Sequence, residues 1–195
     1  MHANVLTTLA LFGSLASALP ATDLVARQAK PCFIVGNQQL PAETSTVVNQ
    51  IQGGITCNAN AKTIDNVPDV TFGGQTFSQI NFATSGKSPM AFALETFTTA
   101  EPLAESNLDA FKDALNVYLA TEAALRSTGS AQVAFIKAPK FFLEMQVSRI
   151  ETARGQPPTD PGLQVDHLRG KVADNSGSAD KALLGQVDAL AKQLQ

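Results

Sequence analysis

The spacing of apolar side chains divides the chain into two parts near residue 86. Before this point, short apolar runs are interrupted by glycine, proline and asparagine. After it, apolar residues recur three and four positions apart, which is the spacing of one face of an α-helix. The pattern therefore predicts a small β-structured unit followed by a group of helices.

The first part contains one predicted helix and one predicted hairpin. Proline is favoured at the start of a helix and glycine at its end, so we expect a short helix after Pro41 that ends at Gly53-Gly54. Two apolar runs, residues 70–72 and 77–82, flank Gly73-Gly74. Apolar runs separated by two glycines are typical of a β-hairpin.

The longest predicted helix begins after Ser106. Asp109 follows this serine by three positions, which resembles a capping box. Apolar residues then repeat at helical spacing from Leu108 to Leu125, and Gly129 ends the pattern. This segment is the clearest helix in the chain.

Residues 88–97 are compatible with two structures. Ser88 followed by Pro89 is a typical helix start, because serine caps a helix and proline fits its first turn. The alternation of Met90, Phe92 and Leu94 fits a strand nearly as well. The sequence leaves both open.

The remaining predicted helices follow a short apolar run at residues 133–136. The first extends from Pro139 to Arg154, and the proline-rich residues 156–162 after it form a loop. Two shorter amphipathic helices follow, at residues 165–172 and 183–194.

The N-terminal residues predict export. Residues 5–15 are apolar and are followed by Ala16-Ser17-Ala18, so residues 1–18 read as a signal peptide. The apolar run is about half the ~20 residues needed to cross a bilayer. The polar residues 19–30 are either a pro-segment trimmed after Arg27 or a flexible tail. We expect a secreted, extracellular protein without a membrane anchor.

The two cysteines, Cys32 and Cys57, agree with this expectation. In an oxidising compartment their simplest state is one disulfide that closes a loop of about 25 residues. With this link, the elements predict an α+β fold, in which a small disulfide-stapled β unit packs beside a helical bundle. We expect a single globular domain over residues 31–195.

Composition and histidine content remove several classes of function. The net charge is −3 and basic residues are scattered, so nucleic acid is not an expected partner. After export one histidine remains, His167, and its position off the apolar stripe of its helix predicts solvent exposure. One histidine cannot build a histidine-based zinc site, and no metal or cofactor is expected.

Glu122 is the most unusual charged residue, because it lies on the apolar face of the longest helix. A charge in that position must be paired or neutral. One hypothesis pairs Glu122 with Arg149 or Arg126 inside the helix packing. The other makes Glu122 a general acid with Glu95 or Glu144 as its partner, as in a glycosidase.

The helix from Pro139 carries further polar candidates. Arg149 and Gln146 fall within its apolar arc, and with Arg126 they are the candidate binding residues. Glu144, Ser148 and Glu151 share the opposite face. We expect that face to be solvated.

Four strings together resemble a known group of proteins; they are PCFIVG at 31–36, VPDV at 67–70, YLATEAALR at 118–126 and KAPKFFLE at 137–144. The chain resembles uncharacterised small secreted proteins of filamentous fungi, which form a domain-of-unknown-function family. The resemblance covers the chain from Lys30 onward. It implies a fungal, extracellular origin and no activity, so no functional residue is carried over.

The sequence thus favours a non-catalytic secreted protein that binds a surface, a partner or a small ligand. A cell wall or a host surface would be a suitable partner. One alternative is a carboxylate-dependent extracellular hydrolase that uses Glu122. Another is a secreted effector that acts on another organism.

Overall fold

A computed structural model describes residues 30–195 of the chain, so the predicted signal peptide and nearly all of the predicted tail lie outside the described residues. The described part forms α1 (Ala42–Ile51), β1 (Thr56–Lys62), β2 (Pro68–Phe72), β3 (Gln75–Thr76), α2 (Pro89–Thr96), α3 (Leu108–Thr128), α4 (Val133–Ala153), α5 (Val165–Asn175) and α6 (Leu184–Lys192). The predicted α+β fold, a small sheet beside helices, is confirmed.

The three strands form one antiparallel sheet in the order β1-β2-β3. The predicted hairpin turn lies at Gly73-Gly74, where Gly73 has the positive φ of 53° that glycine tolerates best. The expected second strand is wrong beyond Thr76. Residues 77–84 form two short 3₁₀ turns instead, because Thr76 and Gln79 make a reciprocal capping box that starts a helical turn.

The N-terminal segment is held by the predicted disulfide, which joins Cys32 to Cys57 in β1. The same N-terminal segment also contacts the end of α3. The Gly36 N–H donates to Oγ of Ser127 over 3.0 Å. A Cβ at Gly36 would lie 1.9 Å from the carbonyl oxygen of Ser127, so only glycine permits this approach.

The two capping predictions have different outcomes. Ser88 caps α2 by accepting a hydrogen bond from the Ala91 N–H, which decides the open question of residues 88–97 in favour of a helix. The prediction of a capping box at Ser106 is wrong. Asn107 caps α3 instead, while Oγ of Ser106 accepts from the Ala100 N–H of the preceding loop.

Helix α4 begins at Val133 and has Pro139 in its interior, so the prediction that it starts at Pro139 is wrong. A proline inside a helix removes one backbone hydrogen bond and costs about 3 kcal/mol. Ile136 and Phe142 are fully buried on either side of it. Burial contributes about 1.5–3 kcal/mol for each side chain of this kind, which offsets the local cost.

The core lies where α4 packs between α3 and α5, with the sheet and α1 against α3. Tyr118 of α3 is buried at its centre among Phe77, Phe82 and Phe97. Its hydroxyl donates to the carbonyl oxygen of Ile80 over 2.8 Å, so the one polar atom of the ring is satisfied. This packing places the second half of α3 and the middle of α4 side by side.

Candidate functional site

A cleft of about 390 Å³ lies beside α3 and α4, a volume in the range of small-molecule sites. Side chains of α1 and α5 and the loop before α5 complete its wall. The lining residues are Glu43, Thr44, Val47, Leu119, Glu122, Arg126, Lys137, Lys140, Phe141, Glu144, Gly162, His167, Leu168, Lys171 and Asn175. The wall combines a few apolar side chains with a high density of charge.

Glu122 lies in the wall of this cleft and is only 4% exposed. Its Oε1 accepts two hydrogen bonds from Arg126, over 2.9 Å from Nε and 2.7 Å from Nη2. Its Oε2 lies 2.9 Å from Nζ of Lys140. Both carboxylate oxygens are therefore held by cations.

These contacts decide the ionisation of Glu122. Burial alone would raise the pKa of its carboxyl, but the charges and hydrogen bonds of Lys140 and Arg126 together outweigh burial and lower the pKa. Glu122 is thus an ionised carboxylate at neutral pH. The expected pair with Arg126 forms, and the alternative pair with Arg149 does not.

Lys140 is the partner that sequence reasoning missed. It is 9% exposed and its Nζ lies 3.9 Å from the centroid of the Phe141 ring. Lys140 lies on α4 and Glu122 on α3, so no spacing along the chain relates them. One signal was available, since Lys137, Lys140 and Glu144 recur at helical spacing and mark a polar stripe on α4.

Glu144 also lines the cleft, half-buried rather than solvated as expected. Burial raises the pKa of its carboxyl, Lys140 lowers it, and the negative charge of Glu122 raises it again, with a net rise. The expectation of a solvated face is also wrong for Ser148, which is buried. The α4 face is covered by neighbouring helices that sequence spacing does not reveal.

We expect Glu144→Gln to make the protein more stable at pH 8 than the native chain. The folded-state pKa of Glu144 is raised, so its stabilising contribution is full below pH 4.5 and is lost as pH rises through the raised value. Glutamine stays neutral and carries no such loss. Urea unfolding from pH 4 to pH 8 measures the difference, with the exposed Glu105→Gln as control. The prediction would be contradicted if the difference in unfolding free energy between E144Q and the native chain stayed constant from pH 4 to pH 8.

Glu95 lies outside the cleft, so the structure does not bring it to Glu122. It is exposed on α2 and forms an ion pair with Lys87. The proposed Glu122–Glu95 partnership therefore has no geometric basis. Glu144 is the sequence-predicted partner that shares the cleft with Glu122.

Arg149 and Gln146 are buried away from the cleft and hold backbone instead. Nε2 of Gln146 donates to the carbonyl oxygen of Phe97 over 2.8 Å. Nη2 of Arg149 donates to the carbonyl oxygen of Gln193 over 2.9 Å, and its Nη1 donates to Gln146. These contacts connect α4 to the end of α2 and to the C-terminal segment.

His167 is exposed, as expected, yet it lines the same cleft as Glu122 and Glu144. It enters from α5 together with Lys171. Sequence reasoning set His167 aside because it lies off the apolar stripe of its helix. The residue pattern gave no sign that this polar face of α5 borders a charged cleft.

Within residues 30–195, no group of three or more His, Cys, Asp and Glu side chains is placed to hold a metal ion. No helix in that range is long and apolar enough to cross a membrane.

Comparison with known proteins places most of the chain in one family. Residues 34–195 match the model of a domain of unknown function, DUF7143. No curated protein and no solved structure shows a significant match to this chain. The chain therefore belongs to the DUF7143 family of unknown function, so the expected membership of a domain-of-unknown-function family is confirmed.

Proposed function

We propose that this is a secreted, non-catalytic binding protein whose charged cleft receives a small ligand. The state of Glu122 is the observation that carries the proposal. A general acid must hold a proton to donate, whereas Arg126 and Lys140 occupy both oxygens of Glu122 and lower its pKa. The residue that sequence analysis ranked first for catalysis is thus better suited to fixing the cleft wall.

Export is supported by two features of the chain. Residues 1–18 have the pattern of a cleavable signal, and the Cys32–Cys57 disulfide is typical of oxidising compartments. The resemblance to secreted fungal proteins points the same way. A secreted effector that acts on another organism is a further candidate, and raised expression on contact with a host would distinguish that role.

One observation favours a hydrolase as the second candidate. Glu122 and Glu144 share the cleft and their pKa values shift in opposite directions, down for Glu122 and up for Glu144. In a glycosidase-like pair, such a divergence would make Glu144 the acid and Glu122 the ionised carboxylate. Turnover of a glycan that is abolished in Glu144→Gln would establish this function and exclude the non-catalytic one.

Blocking the cleft tests the binding function directly. The mature protein is screened against a small-molecule library by thermal shift, and hits are confirmed by calorimetry. We expect Thr44→Trp, on the α1 wall, to reduce the affinity for confirmed ligands at least tenfold because the indole fills part of the cleft. Thr46→Trp is the matched control, since Thr46 is exposed on the same helix and lies outside the cleft.

The screen has a clear negative outcome. Ligands that bind Thr44→Trp as tightly as the native chain would place the binding site elsewhere. A library without any hit would contradict the proposed function.

A further inference from the structure

We propose that the cleft binds a small organic carboxylate, with Lys137 and Lys171 as the residues that receive its charged group. This inference rests on the proposed binding function and names its ligand class. The basic side chains that line the cleft differ in the groups that they already contact.

Two of the four described lysine and arginine side chains that line the cleft already bind a carboxylate of the protein. Arg126 and Lys140 both bind the carboxylate of Glu122. Lys137 from α4 and Lys171 from α5 also line the cleft and are half-buried. Neither of these two lysines forms an ion pair within the described part of the chain. They are therefore available to a ligand.

The sign of the local charge selects an anion. The complete sequence has a net charge of −3. The cleft reverses this sign, because four basic side chains face the three carboxylates of Glu43, Glu122 and Glu144. Burial, the main cause of the raised pKa of Glu144, acts in the same direction because it disfavours the charged form of that carboxyl. A concave site with a local excess of cations concentrates anions.

The rest of the wall favours an organic carboxylate over inorganic phosphate. Lysine binds carboxylate and phosphate alike as a point charge, so the other residues of the wall must discriminate between the two anions. Among the described residues, Arg126 is the arginine that lines the cleft, and it is bound to Glu122. Val47, Leu119 and Phe141 give the wall an apolar part that can pack against a carbon skeleton.

Calorimetry on the mature protein with succinate and benzoate tests this inference. We expect binding of at least one probe, with Lys137→Met and Lys171→Met each weakening it tenfold or more. Lys137→Arg keeps the charge and should retain binding, which separates loss of charge from loss of fold. Lys62→Met is the matched control, because Lys62 is an exposed β1 lysine outside the cleft. Inorganic phosphate and spermidine are titrated in parallel.

The arms of the experiment separate this inference from the function on which it rests. Carboxylate binding that both lysine variants weaken supports it. Carboxylate binding that is insensitive to both lysines overturns it, as does phosphate binding of equal strength. If only spermidine or another library ligand binds, and Thr44→Trp blocks that binding, the ligand class is wrong and the binding function stands. If no probe and no library member binds, both are overturned.

Discussion

Replacing Glu122 by glutamine should lower the free energy of unfolding by about 3 kcal/mol at pH 7. The native carboxylate satisfies Lys140, which is 9% exposed, and Arg126, which lies one helical turn away. Without it, a nearly buried ammonium group loses its counter-ion while its own desolvation remains. Removing one partner of a buried ion pair costs about 3–5 kcal/mol, and the position of this pair in the wall of a cleft places it at the lower end.

The loss in Glu122→Gln should depend on pH in a defined direction. The folded-state pKa of Glu122 is lowered, so its contribution is complete above the unfolded value of 4.5 and is lost as pH falls through the folded value. The difference between variant and native chain should therefore shrink in acid. Urea unfolding at pH 7 and below measures both effects.

An exposed ion pair provides the control for Glu122. Glu95 pairs with Lys87 at the surface, where such pairs contribute about 0–1 kcal/mol, so Glu95→Gln should have little effect. A Glu122→Gln variant as stable as Glu95→Gln would show that Glu122 is not a structural charge. That result would return Glu122 to the candidates for catalysis.

Removing the disulfide, by replacing both Cys32 and Cys57 with serine, should lower the free energy of unfolding by about 3 kcal/mol. The bond closes a loop with a sequence separation of 25 residues and so restricts the unfolded chain. In the folded state it anchors the segment that brings Gly36 onto Ser127 of α3. Denaturant unfolding of the native and double-serine chains measures the loss.

Reductant supplies the second arm of the disulfide test. The native chain should lose the same stability in dithiothreitol, while the double-serine variant should not respond to it. A native chain that is equally stable in oxidising and reducing buffer would contradict the prediction. The helices should persist in both forms, because the bond joins only the N-terminal segment to β1.

The fold predictions that succeeded rest on local physical chemistry. Helix α3 was recognised from its apolar spacing and from Gly129, which ends it with a φ of 73°. For residues 88–97 the sequence left helix and strand open, and the structure has a helix there that starts at Ser88 and Pro89, whose conformational preferences act within one turn. Such signals depend on neighbours in sequence, so they can be recognised without knowing the packing.

The fold predictions that failed had more than one physical cause. Pro139 looked like a helix start, yet burial of Ile136 and Phe142 outweighs the cost of proline within α4. Ser106 looked like a cap, but its hydroxyl accepts from Ala100 across a loop. At Pro139 packing outweighed a local preference, whereas at Ser106 a hydrogen bond within the preceding loop replaced the expected cap.

In the candidate site, too, some residues could be recognised from the sequence and others could not. Glu122 was recognisable because a charge on an apolar helix face needs a partner, and Arg126 lies one turn away on the same helix. Lys140 and Lys171 were not recognisable as parts of the site. They reach the cleft from α4 and α5, and only the packing of these helices against α3 brings the three elements together.

The sequence by itself determined the two-part architecture, most of the helices and, with only two cysteines present, the disulfide pairing. Tertiary structure decided where the charges meet. It placed Glu144 in a cleft instead of in solvent and gave Glu122 a second cation. Helix spacing depends on residues one turn apart, whereas a pKa depends on every charge within a few ångströms, whichever element carries it.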